Sequence, residues 1–97
     1  MSQTDIDIDT FTTVWDAIAD TPEQAANLQA RAELMRQIAG IIKANDWKQA
    51  DAATQCGVTQ PRINDLWRGR VSRFSLDALV NIATSLGRRV RMKLDAA

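Results

Sequence analysis

Between residues 48 and 73 the chain sets side-chain amides, hydroxyls and guanidinium groups at short intervals: Lys48, Gln49, Thr59, Gln60, Arg62, Asn64, Asp65, Arg68, Arg70 and Arg73, with Pro61 among them. Together such groups offer many hydrogen-bond donors, from the ammonium and guanidinium groups, the amides and the hydroxyl, and acceptors, from the amides, the hydroxyl and the carboxylate, so their chemistry is recognition and not bond breaking. A catalytic constellation needs a nucleophile or proton shuttle with an orienting partner. The sequence has no His, no Tyr, one Cys and no spaced acid cluster with a base. An enzyme is the least expected class, no cofactor is expected, and a zinc site lacks its ligands.

The elements that must position these groups are legible in the spacing. Gln49 to Cys56 reads as one helix, closed by Gly57, a residue suited to positive φ. Thr59 follows as an N-cap candidate, and Pro61 falls in the first turn of a second helix beginning at Gln60, where backbone N–H groups lack intrahelical partners. Ala52, Ala53, Cys56, Val58, Ile63 and Leu66 are small or apolar, as a steep crossing of two helices requires. On the second helix Ile63, Leu66 and Trp67 share one face. The opposite face carries Pro61, Asp65 and Arg68, flanked by Gln60, Arg62 and Asn64, so polar groups able to meet base edges project together. A buried helical hairpin alone would not need them.

Through Gln49, Ala53, Gly57, Val58, Thr59, Gln60, Ile63, Leu66 and Gly69 the chain resembles the Xre family of Cro/cI-type helix-turn-helix regulators. The flanking RAELMRQIAGIIKAND and FSLDALVNIATSLGRRVRMKL resemble its HigA-like antitoxin branch, and the likeness spans roughly residues 11 to 94. The resemblance implies a mostly α, lambda-repressor-like bundle that binds double-stranded DNA as a homodimer on a palindromic operator, with half-sites about 34 Å apart. It implies that Gln49 holds a phosphate and that Thr59, Gln60, Pro61 and Asp65 line the base-facing surface. It further implies an antitoxin that binds an RNA-cleaving toxin of RelE/HigB-like type and represses its own operon. A stand-alone phage-type Xre repressor with no toxin is the alternative.

Two of these positions depart from a typical polar reader. Pro61 offers only apolar contact, such as to a thymine methyl, and Asp65 accepts from cytosine but repels nearby phosphates. Gln60, Arg62 and Asn64 are then expected to carry more of the readout, with Lys48 and the arginines Arg68, Arg70 and Arg73 of the following basic loop near phosphates.

At 97 residues the chain is one small domain, marginal without a partner subunit. Its formal charge of zero hides a partition: residues 1–30 hold six acidic side chains and no Lys or Arg, whereas residues 31–97 carry all twelve cations against six acids. The basic part therefore suits a nucleic-acid partner despite the neutral average. Cys56 is expected to fill the helix contact as a small hydrophobe, a redox thiol being the sharper alternative. No apolar run is long enough for a membrane span and the N-terminus is acidic, unlike a signal peptide, so a cytoplasmic protein is expected.

In chain order, residues 1–21 read as an acidic arm containing a short helix near Phe11 to Asp20, whose Trp15 and Ile18 would dock on the domain or a partner. Residues 22–97 read as the helix-turn-helix domain. Thr21, Pro22 and Gln24 form a capping-box start for a long core helix to about Ala44. Asn45 can take the left-handed position after it, and Asp46 with Gln49 can form a capping box for the next helix, although members of the family commonly carry Ser or Thr at the position of Lys48, which leaves the capping residue open between the two. Gly69 is expected to end the recognition helix, and Ser75 to cap a further helix ending at Gly87. From Arg88 to Leu94, Val90, Met92 and Leu94 alternate with Arg89, Arg91 and Lys93, which predicts one C-terminal β-strand pairing with a second subunit or with Ile6 to Ile8. The expected architecture is thus a mostly α bundle with a short N-terminal extension and one C-terminal strand.

Overall fold

The computed structural model describes residues 21–96, and the acidic arm, its short helix and the Ile6 to Ile8 pairing lie outside the described residues. Among the described residues four α-helices follow one another: α1 Pro22–Ala44, α2 Gln49–Cys56, α3 Gln60–Trp67 and α4 Leu76–Ser85, with a 3-10 turn, Val71–Arg73, before the last. No described helix is long and apolar enough to cross a membrane.

Helix α1 starts where its sequence dictates. The Thr21 hydroxyl accepts from the Gln24 amide at 3.0 Å, Pro22 occupies the first turn, and Glu23 lies near the positive end of the helix dipole. Its end differs from expectation by one residue. Asn45 stays right-handed at φ −88°, and Asp46 takes the left-handed position at φ 54°. Asn45 is held in place because both its main-chain N–H and its side-chain amide donate to the Ile41 carbonyl, at 3.1 and 2.8 Å. The reversal passes to the next residue, an aspartate, which tolerates that conformation better than most. Asp46 therefore does not cap α2. Lys48 stands at that N-cap, with no side-chain capping bond.

The core is assembled from one face of each helix. Met35, Ile38 and Ile42 of α1 meet Ala52, Ala53 and Cys56 of α2, Ile63 and Leu66 of α3, Val71 and Phe74 of the connecting loop, and Leu79 and Ile82 of α4. Helix α1 packs against α3, α4 and the 3-10 turn, while α2 packs against α3 and α4. Alanines and a cysteine on α2 let its backbone approach both neighbours. Phe74, at 1% exposure, is the largest fully buried side chain, and burial of such a ring is worth about 1.5–3 kcal/mol. Trp67, expected beside Ile63 and Leu66 in the core, is 45% exposed. As the last residue of α3 it lies at the rim, in a shallow groove with Met35 and Ala39 of α1.

The C-terminal β-strand does not form. Gly87 turns the chain out of α4 at φ 75°, and residues 88–96 have no regular secondary structure. Val90 is half-buried, Met92 is 73% exposed and Leu94 fully exposed. Alternation supplies a pattern of side chains, but a strand also needs a ladder partner for its N–H and C=O groups, and the described helices offer no open edge. The segment instead runs beside Leu34, Ile38 and Ile41 of α1, with an open groove between.

Candidate nucleic-acid interface

The turn between α2 and α3 is set by backbone requirements. Gly57 takes φ +72°, and a Cβ built there would stand 3.3 Å from Ser85 Oγ of α4, so both conformation and space favour glycine. Its left-handed turn lets the Val58 amide donate back to the Ala53 carbonyl at 3.0 Å. Thr59 then resumes extended backbone and its hydroxyl accepts from the Arg62 amide at 3.4 Å, starting α3 at Gln60. Gln49, at the start of α2, donates from Nε2 to the Gln60 carbonyl at 3.0 Å and ties the two helix starts together.

Along the outer side of α3, Thr59, Gln60, Pro61 and Arg68 are exposed and Asn64 is half-buried. The amides of Gln60 and Asn64 make no hydrogen bond to other described side chains or carbonyls, which leaves both donors and acceptors available. Lys48 is exposed at the start of α2, within the same half of the molecule as the α3 N-terminus, whose dipole adds positive potential.

Two candidate readers are engaged within the protein. Asp65 is 7% exposed. The loop after α3 folds back over it, so that Arg70 Nη1 donates to Oδ1 at 3.2 Å and Arg73 Nη1 to Oδ2 at 3.5 Å, while the Arg70 amide donates to the Asp65 carbonyl at 3.0 Å. The side chains of Arg70 and Arg73 remain 41% and 56% exposed. Arg62 donates from Nη1 to the Arg73 carbonyl at 2.6 Å, and its guanidinium carbon lies 4.2 Å from the centre of the Phe74 ring. That contact combines cation–π attraction with a charge-assisted hydrogen bond.

Arg31 and Phe74 belong to this assembly although the residue types around the turn did not bring them forward. Arg31 Nη1 donates to the carbonyls of Phe74 and Val71 at 3.0 and 3.3 Å, anchoring the loop to α1, and its Nε is buried without a partner among the described residues. A signal was present: Arg31 lies three residues after Leu28 and four before Met35, on the core stripe, where an arginine needs acceptors.

Cys56 is 2% exposed, and burial pushes its thiol above the ordinary range. It is protonated at neutral pH and fills a contact between helices, the behaviour of a small hydrophobe. What the surface offers is therefore a pair of amides on a helix face, bordered by Lys48, Arg68, Arg70 and Arg73, with Asp65 shielded beneath two of these cations. That arrangement suits an elongated polyanion bearing hydrogen-bonding edges. Residues 17–95 match the model of a family described as a helix-turn-helix domain. No curated protein and no solved structure matched the chain.

Proposed function

The chain belongs to the helix-turn-helix domain family, and from that premise we propose that it is a sequence-specific transcriptional regulator that binds double-stranded DNA as a two-fold dimer on a palindromic operator. The observation that carries this reading is the outer face of α3, where Gln60 and Asn64 have uncommitted amides while Arg68, Arg70 and Arg73 form a cationic border. Amides of this kind pair bidentately with adenine edges, and arginines beside the groove meet phosphates. Pro61 presents an apolar surface suited to a thymine methyl. The protein acts by binding, not by catalysis, in the cytoplasm.

More narrowly, the reading is an Xre-like repressor of the HigA-like antitoxin branch, which holds a RelE/HigB-like toxin and represses their shared operon. Its support is the resemblance of the stretches flanking the turn.

Selection of bound duplexes from a random pool, followed by salt-titrated binding, tests the DNA reading. The expected result is a palindromic consensus occupied by two chains, with affinity falling steeply as salt rises. Binding without base preference would overturn it. Co-purification of a small basic ribonuclease with the chain from its native cells supports the antitoxin branch, and its absence there favours a repressor acting alone.

A further inference from the structure

We propose that Asp65 is a positioning residue that pre-orders Arg70 and Arg73 for phosphate contact, and that it does not itself read a base. The inference rests on the DNA-binding reading above and deepens it. Three observations carry it. Asp65 is 7% exposed, although it stands on the side of α3 that sequence periodicity turns outward. Its two carboxylate oxygens are shared out, Oδ1 to Arg70 and Oδ2 to Arg73, and only 10% of the side chain is left exposed to meet a cytosine amine. Both arginines spend one Nη1 on it and keep 41% and 56% of their side chains exposed.

A guanidinium has five N–H donors, so the remaining donors of each arginine stay outward for a phosphate. An arginine on a loop ordinarily surrenders rotamer freedom when it binds. Here the carboxylate has fixed both heads beforehand. The loop beneath is fastened as well, by Arg62 to the Arg73 carbonyl and by Arg31 to the Phe74 and Val71 carbonyls. One anion thus converts two mobile cations into an oriented pair beside the α3 face, and the pair still outnumbers it in charge.

The test exploits opposite signs. Asp65→Asn removes a negative charge near a polyanion, which by charge alone tightens binding. If Asp65 positions the arginines, Asp65→Asn instead weakens binding to the selected operator on the order of tenfold, and the slope of log affinity against log salt falls by about 0.9 for each arginine released. The base preference stays the same. In an Arg70→Ala/Arg73→Ala background the same substitution no longer weakens binding, and only the tightening expected from charge alone remains. Circular dichroism and thermal melting of each variant fix the folded fraction used in the comparison. A marginally folded Asp65→Asn is replaced by the Arg70→Ala and Arg73→Ala singles, whose losses must be coupled through Asp65 and not simply additive. Equal or tighter binding by folded Asp65→Asn overturns the inference, as does a change of preference at one base pair or weakened binding with an unchanged salt slope. A wild-type chain with no preference among duplexes overturns the DNA reading itself, a separate result.

Discussion

Arg31, in the first half of the long helix, donates to the main-chain carbonyl of Phe74, 43 residues later, at 3.0 Å. With its second bond to Val71 it holds the loop that carries Arg70 and Arg73 against the core. The basic border of the interface is thereby supported from behind by a residue that lies away from the α3 face.

Arg31→Met keeps much of the side-chain bulk but leaves the Phe74 and Val71 carbonyls without this donor. Loss of stability by about 1–3 kcal/mol is expected, read as a lower urea midpoint with an unchanged slope. Base preference of the folded protein should be unaffected, because Gln60 and Asn64 are on the far side of α3. A stability equal to wild type would show that the two bonds contribute nothing net.

Gly57→Ala should cost about 1–2 kcal/mol for the left-handed backbone alone, with a further penalty from the new Cβ, 3.3 Å from Ser85 Oγ. Adding Ser85→Ala should recover the second part and not the first. Thermal melts of the single and double variants measure the split, and complete recovery would refute the conformational share.

Gln60→Ala and Arg68→Ala should fail in different ways. The first is expected to lose about 1–3 kcal/mol of discrimination at one base pair. The second should weaken all duplexes alike and reduce the salt slope by about 1. Binding to an operator and its single-base variants at several salt concentrations separates the two, and an unaltered preference in Gln60→Ala would remove that amide from the readout.

Burial raises the Cys56 thiol above its ordinary value, so the unfolded chain loses that proton first as pH rises. The contribution of the neutral thiol is whole below the ordinary thiol range and is lost as pH climbs through it, from about pH 8.5 upward. Wild type should therefore decline in stability over that interval more steeply than Cys56→Ala. Parallel declines in denaturant midpoints would contradict this. The buried thiol should also react with alkylating reagents only as fast as the domain opens.

The local signals in the sequence carried much of this architecture. Thr21 with Pro22, Gly57 with Thr59, Gly69, and Ser75 with Gly87 each act through the backbone within a few residues, and helix ends fall where those residues require. What escaped depends on tertiary placement. Asp65 lies on the polar side of α3 by periodicity and is covered because residues five and eight positions later fold back on it. Arg62 is drawn to Phe74 by the same return of the loop. Val90, Met92 and Leu94 show the alternation of a strand but lack a ladder partner among the described residues, and pattern alone cannot supply one. Asn45 stays right-handed because it bonds back to Ile41, which leaves the left-handed position to Asp46.

Trp67, 45% exposed at the end of α3, follows the face bearing Gln60 and Asn64 and immediately precedes Arg68. An indole in that position is a built-in lamp. Its ultraviolet emission responds to the water around it, so a duplex settling against Arg68 should change its colour and brightness with no dye attached. The rim residue that the core did not enclose thus gives the unlabelled protein an optical report of its own occupancy.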